Sequence, residues 1–336
     1  MSSIGIKDVA KFAGVSNATV SQVLTNKGRI SDATRERVKE ALDKLGYVYN
    51  QNAANLRQKK SNQVGFLVHD ISNPFYGEMA ASIARVLDKR DNMLFLSNTE
   101  DVLEKQEKFT KALIQNGSAG IIICATNDSP DSYFESLKAG KTPVILVTRH
   151  SDKEMNFVGT DNIVGGRMAT EFLLELGHKR IAFVGGSVGT KNREHRIAGY
   201  TSALNKHEID YDDAINFPTP ADKESGVSAI ELILQKHKDV TACVFYQDII
   251  AIGAMEYLKA NDIIAGKDIS IISLDGTEDS MTLSPSLTSV SFSAKEMGEK
   301  AGQLLFDKID GNSTDLEHII IQPKLIIGES AGKAEF

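Results

Sequence analysis

Tryptophan is absent and cysteine nearly so, with Cys124 and Cys243 the only two in 336 residues. Both sit in apolar, strand-like runs, "IIICA" and "ACVFY", so they read as small core residues of a reducing compartment, not as a disulfide frame. No Cys/His cluster has metal-ligand spacing, which leaves no metal or cofactor to expect. No apolar run approaches the roughly 20 residues that span a bilayer. The first residues carry no apolar stretch of the secretory kind, which points to the cytoplasm. A Ser/His/Asp or Cys/His set and a P-loop are missing too. The turn in "FVGGSVG", with Asp210 downstream, is only a distant echo of a dinucleotide fingerprint, because its spacing is G-G-x-x-G. Enzyme chemistry therefore has little to stand on.

What the chain does have is unevenly placed charge. Residues 1–60 carry eleven Lys and Arg against five Asp and Glu, a net +6; the remainder carries 27 against 40, a net -13. A basic arm on an acidic body points to nucleic acid. Within the arm, Ile6, Val9, Ala10 and Ala13 recur at helical spacing, Gly14 permits a tight turn, and Ser16 can cap a second helix whose Val20, Val23 and Leu24 face inward. Ser31 caps a third, with Val38, Ala41, Leu42 and Leu45 as its stripe and Gly46 at its end. Two short helices joined at a glycine form a helix-turn-helix candidate, whose second helix enters a major groove. On that helix Asn17, Ala18, Ser21, Gln22 and Thr25 share the outward side, and Ser16 and Thr19 complete its N-terminal end. A Gln in this position can bond adenine in bidentate fashion. Lys7, Lys27, Arg29 and Arg35 surround the motif as phosphate contacts. Residues 47–61 lack a core stripe and read as a linker, part of which can become helical on a partner.

From residue 64 the texture changes. Apolar runs 64–68, 93–97, 120–124, 144–147, 181–186, 242–246 and 269–273 alternate with helix-periodic segments 75–90, 102–116, 162–177, 190–206, 222–237 and 247–260. This rhythm predicts parallel sheets covered on both faces, in two doubly wound subdomains, with ligands beyond the carboxyl ends of the strands.

"DVAKFAGVSNATVSQVL" and "RERVKEALDKLGYVYNQNAANLR" resemble the DNA-binding segment and hinge of the lac-repressor (LacI/GalR) family. "DISNPFYGEMAASI", "VGTDNIVGGRMATEFLLELGHKRIAFVGG", "DIIAIGAM", "DISIISLDGTEDS" and "LTSVSFSAKEMGEKAGQLL" carry the likeness through the rest. "NKGRIS" and "TKNREHRIAGY" lean toward its maltose-regulon repressor type. The resemblance implies an all-α helix-turn-helix DNA-binding domain plus an α/β core of two doubly wound, periplasmic-binding-protein-like subdomains. The expected divisions are 1–49 for the DNA-binding domain and 50–61 for the hinge, then 62–161 with 292–322, and 162–291 with 323–336, for the two core subdomains. It further implies a homodimeric repressor at the nucleoid, meeting an inverted-repeat operator in double-stranded DNA. A small effector, a sugar or sugar phosphate between the core subdomains, would control operator affinity. Helix 75–90 is the expected dimer contact, and an ending "IIGESAGKAEF" lacks a tetramer-forming heptad helix. In the hinge, Leu56 holds the family's minor-groove wedge position, with Ala53 one turn before it and Arg57, Lys59 and Lys60 beside it. By position, Asp161, Arg196 and Asp275 match recurrent polar ligands. Asn73, Phe75 and Tyr76 line the opposite wall, Asn192 and Arg193 face the pocket, and Gln247 and Phe292 stand where relatives carry other residues. Further departures are Gln22 where Arg is frequent, Ala18 where relatives carry larger residues, and Tyr49 in place of the hinge's usual Pro. The rival expectation is a sugar-binding transport-type protein with no regulatory role, against which the basic arm argues.

Overall fold

The computed structural model describes residues 4–25, 28–47, 61–150, 154–312 and 314–334. The chain divides into two compact units, 1–61 and 62–336.

The first unit holds α1 (Ile6–Ala13), α2 (Asn17–Leu24) and α3 (Asp32–Leu45). Each helix is bounded by side-chain chemistry. The Asp8 carboxylate accepts the Gly5 N–H at 2.8 Å, and the Ser16 and Ser31 hydroxyls accept the amides of Thr19 and Thr34. Such caps satisfy the donors a first turn leaves open. Gly14 and Gly46 end α1 and α3 at φ 64° and 61°, a left-handed geometry that costs glycine nothing. Val9, Ala10, Ala13, Val20, Val23, Val38 and Ala41 form the core, with Leu24, Leu42 and Leu45 packed on it.

The second unit contains two six-stranded sheets. The first has the order β11-β5-β4-β3-β1-β2, from β1 (Gln63–Val68), β2 (Met93–Asn98), β3 (Gly120–Ile123), β4 (Val144–Val147), β5 (Asn156–Thr160) and β11 (His318–Ile321). All its pairings are parallel. The second has the order β12-β10-β9-β8-β6-β7, from β6 (Ile181–Val184), β7 (Asn216–Phe217), β8 (Ala242–Phe245), β9 (Ser270–Asp275), β10 (Thr288–Ser291) and β12 (Lys324–Ile326). Its edge strand β12 runs antiparallel to β10, a departure from the all-parallel expectation. The chain thus passes between the sheets three times, after β5, after β10 and between β11 and β12.

Helices cover both faces of each sheet, which is why β3, β4, β6 and β8 are unbroken apolar runs. On the first sheet, α4 (Pro74–Asp88) and α12 (Ala294–Asp310) bury Phe75, Met79, Ile83, Met297 and Leu305 on one face. On the other face, α5 (Leu103–Gln115) and α6 (Asp131–Ala139) place Phe109, Leu113, Phe134 and Leu137. On the second sheet, α7 (Asn162–Glu175) and α8 (Lys191–Lys206) lie on one face, α9 (Lys223–Lys236) and α10 (Asp248–Ala260) on the other. A single turn, α11 (Glu278–Met281), follows β9. α7 and α8 touch backbone to backbone: a Cβ on Gly166 would stand 2.1 Å from the Arg196 carbonyl oxygen, and one on Gly199 2.1 Å from that of Ile163.

Candidate functional site

In the first unit, Lys7, Ser16, Asn17, Ala18, Gln22 and Arg29 are exposed, and Thr19, Ser21 and Thr25 are half-buried. The outward side of α2 is therefore small or amide-bearing, which lets its backbone approach a groove closely. Three hydroxyls along it are engaged locally. Ser16 Oγ accepts from Thr19 N and lies 2.9 Å from Thr19 Oγ1, and Thr25 Oγ1 donates to the Ser21 carbonyl at 2.8 Å. The Gln22 amide lies over Gly28, where a Cβ would stand 3.1 Å away. Lys27, Tyr49, Ala53, Leu56, Arg57, Lys59 and Lys60, and with them the hinge reading, lie outside the described residues.

In the second unit the strand ends converge on a cavity of about 320 Å³. Every wall stands at the carboxyl end of a strand, where a doubly wound sheet offers its loops and helix N-termini. One wall comes from the loops after β1 to β4 and the start of α4, the other from the loops after β6, β8, β9 and β10.

Arg196, on α8, dominates the second wall. Its Nε donates to Asn162 Oδ1 at 2.8 Å and its Nη1 to the Tyr246 carbonyl. The guanidinium is sandwiched, 4.2 Å from the Tyr246 ring centroid and 4.5 Å from that of Phe292. The close α7–α8 contact delivers it there, and the missing side chain of Gly165 makes room for the Phe292 ring. Facing the same space is Asp275, the last residue of β9. It is 2% exposed, and its Oδ2 has no hydrogen-bond partner. Burial, reinforced by the Asp248 charge, pushes this carboxyl well above the usual range, although Arg196 pulls the other way. The turn after it is anchored by Asp248. That side chain accepts from Ser273 Oγ (2.5 Å), Ser289 Oγ (3.1 Å), Thr277 N (2.8 Å) and Thr277 Oγ1 (2.9 Å). Gln247 lines the cavity beside Tyr246.

On the first wall, Asn73 caps α4 by accepting the Phe75 amide at 3.0 Å, which presents Phe75 and Tyr76 to the cavity. Tyr76 Oη lies 3.1 Å from His69 Nε2, and His69 Nδ1 lies 3.2 Å from Cys124 Sγ. Burial, then the nearby Arg149 charge, lowers the His69 pKa to about 3, so the ring is neutral. Arg149 forms a two-point contact with Asp101, Nη1–Oδ1 2.5 Å and Nη2–Oδ2 3.4 Å. Burial opposes the charge on Asp101, yet Arg149 holds its carboxyl below the ordinary value. Across the cavity, Asn192 Nδ2 donates to the Thr148 carbonyl at 3.2 Å.

Two expected ligands fall elsewhere. Asp161 is the N-cap of α7, its Oδ1 accepting from Val164 N at 3.0 Å, and only its neighbours Thr160 and Asn162 line the cavity. Arg193 is turned under the end of β6, donating to the Gly185 carbonyl at 3.0 Å and to Asn216 Oδ1 at 2.6 Å. Conversely, His69, Asp101, Arg149 and Asn162 line the cavity without having been expected. Their common signal is position: His69 and Arg149 stand within two residues of the end of a strand.

Comparison with known proteins bears on both units. Residues 5–50 match the model of bacterial regulatory proteins of the lacI family, and residues 170–331 that of a periplasmic binding protein-like domain. The transcriptional regulator DegA of Bacillus subtilis is 32% identical over 330 residues, covering 97% of each chain. The chain belongs to the LacI family. The maltose regulon regulatory protein MalI of Escherichia coli is also 32% identical, over 96% of this chain and 97% of its own. Among solved structures, a LacI-family regulator from Silicibacter pomeroyi superposes with a TM-score of 0.83 at 26% identity, over 97% of this chain and 99% of that one. A CelR–cellobiose complex gives 0.73 at 27%, over 98% and 100%. This LacI-family chain is thus a DNA-binding transcriptional regulator with an effector-binding core, and its relatives are regulators, not enzymes.

Proposed function

We propose that this regulator binds an inverted-repeat operator as a homodimer at the nucleoid, and that a carbohydrate held between the two sheets sets its affinity. The observation that carries the effector reading is the unpaired, buried Asp275 Oδ2 beside the ring-sandwiched Arg196. A buried polar atom without a partner is costly, and a hydroxyl can satisfy it while accepting from a guanidinium. Vicinal hydroxyls fit that pair, and aromatic rings suit the apolar face of a sugar. The cellobiose bound in the CelR complex supports this class. So does ribose bound to an Enterococcus faecium relative at 28% identity and a TM-score of 0.74, over 81% of this chain and all of that one.

The dimer reading rests on β2. This edge strand exposes Met93, Phe95 and Leu96, and the outer side of the neighbouring α4, the expected dimer contact, adds Gly77, Ala81, Arg85 and Asp88. An uncovered apolar edge is a pairing surface. Two subunits then present two α2 helices on a two-fold axis. Effector and operator couple through the angle between the sheets, held in this structure by Asn192 on Thr148 and by the Glu278 amide on Glu78 Oε1 at 2.7 Å. Coupling of this kind is typically about 1–3 kcal/mol and reciprocal.

The test is to incubate full-length protein with fragmented genomic DNA from its source at moderate salt and sequence what is retained. One or a few inverted repeats beside sugar-use genes, released or tightened by a sugar, support the proposal. Retention without sequence preference, with and without sugars, refutes it.

A further inference from the structure

The two walls of the cavity are tied together at a point outside it. Tyr76, near the start of α4, stands on the first wall, and Asp275, the end of β9, on the second. Two residues beyond Tyr76, Glu78 Oε1 accepts the Glu278 amide at 2.7 Å. Glu278 lies three residues beyond Asp275 and opens α11. Its side chain is held from the same half, because Lys295, at the start of α12, donates to its carboxylate. Both α4 and α12 pack on the first sheet, so the second half is gripped at one residue by main chain and side chain alike. The segment between Asp275 and Glu278 has no slack. Gly276 lies against Ser291, where an added Cβ would stand 2.4 Å from that residue's Cβ. Asp248 fixes Thr277 by accepting both its amide and its hydroxyl. With that hydroxyl engaged, Thr277 does not cap α11, and the Glu278 amide takes its acceptor from Glu78 across the gap. Burial raises the Glu78 carboxyl, while the Glu278 amide and the Lys295 charge pull it back. Glu78, Glu278 and Lys295 all stand outside the lining of the cavity.

We infer that Glu78 is a positioning residue for effector binding: from outside the cavity it fixes the gap between Tyr76 on one wall and Asp275 on the other. This rests on the effector reading above and adds to it a group that the ligand does not touch. An effector that meets both walls binds only while the gap is narrow. Losing the bond lowers the population of that arrangement, and apparent affinity falls with it. Operator affinity moves too, because the two equilibria are linked. Without sugar, the variant's operator affinity should shift in the direction opposite to the shift that sugar causes in wild type, whichever sign that has.

The experiment compares Glu78→Met, which removes the acceptor at similar length, with Glu78→Gln, whose amide oxygen keeps it. Calorimetric titration of full-length protein with a panel of mono- and disaccharides and their phosphate esters first selects the sugar. The gap is read without any ligand by a nitroxide pair at Asp128→Cys and Val188→Cys. These exposed positions adjoin Asn127 and Gly189, which line a compartment of about 180 Å³ beside the cavity, one from each half. The native thiols are buried, so the labels go to the introduced ones. Glu78→Met should lengthen the distance between labels in pulsed electron paramagnetic resonance and weaken the selected sugar about three- to tenfold. Glu78→Gln should stay close to wild type in both, and Lys295→Met should act in the same direction as Glu78→Met. A distance that is unchanged or shorter in Glu78→Met overturns the inference. So does a longer distance with sugar affinity unmoved, or a Gln variant that behaves like the Met one. If no sugar on the panel binds, the carbohydrate reading fails, while the label distance still decides for or against Glu78.

Discussion

Replacing Asp275 with Asn should make the ligand-free core more stable while weakening its hold on effector. In the folded chain burial keeps this carboxyl protonated to a pH well above the ordinary 3.8. Between that value and the raised one, the folded state holds more protons than the unfolded state. Unfolding free energy therefore falls as pH rises through the window, by at most about 1.4 kcal/mol per pH unit for one proton. The stability is fully present below the unfolded value and is lost as pH climbs to the folded one. Asparagine removes the ionisation, so the fall should be absent from the variant, and its advantage over wild type should grow as pH rises through the window. At pH 8 the variant should gain about 1–3 kcal/mol, because the amide has no ionisation to suppress, the equivalent of about one to two pH units of that linkage. Urea denaturation at pH 5, 6.5 and 8 measures both quantities. Hydroxyls reaching Oδ2 favour the charged form, so wild type should release up to one proton per site on binding the sugar the panel selects. Calorimetry in buffers of different ionisation enthalpy reads that number, and Asp275→Asn should bring it near zero with affinity down about tenfold or more. A variant less stable than wild type at pH 8, with proton release unchanged, would refute the account of Asp275 as a strained acceptor awaiting a hydroxyl.

Gly199→Ala should cost about 1–3 kcal/mol of core stability by urea denaturation, because its Cβ would meet the Ile163 carbonyl oxygen and the Arg167 amide at 2.1 and 2.6 Å. A loss within about 0.5 kcal/mol would mean that the α7–α8 contact yields easily. Leu56→Ala should weaken operator binding in a gel-shift titration while leaving calorimetric sugar affinity unchanged; equal loss of both counts against the wedge. Cys124 and Cys243 are buried, and burial pushes both thiols up, so thiol-reactive dye should label them only after denaturant is added. Rapid labelling of the native protein would contradict that burial.

The DNA-binding unit was legible almost residue by residue, because short helices advertise their limits. Ser16, Ser31, Gly14 and Gly46 stand at the boundaries their chemistry suggested. The central strands were visible as apolar runs because helices bury both their faces. β10 was not, since its sequence is "TSVS". Its hydroxyls are buried yet satisfied, Ser289 by Asp248 and Thr288 by the Gly328 amide, a compensation between distant residues that no local pattern reveals. β7, β11 and β12 are edge strands, β5 reads "NFVGT" with only two adjacent large apolar residues, and α6 spans only nine residues. In the cavity, Asp275 at the end of β9 and Arg196 on α8, both named by position, line the space. Position failed for Asp161, where an Asp before a helix is first of all a cap, and for Arg193, three residues from Arg196 but bonded beneath β6. Arg149 was passed over because its meaning depends on Asp101, 48 residues away.

Because the chain passes between the sheets three times, neither half is a continuous piece of sequence. On the ribosome, the three helices of the DNA-binding unit are complete once Leu45 has emerged. The first sheet lacks its outer strand until Ile321 is made, and the second until Ile326. The part that reads DNA is thus finished some 280 residues before the part that governs it. A product terminated early carries the reader without its control, so faithful regulation depends on translation running past Ile326.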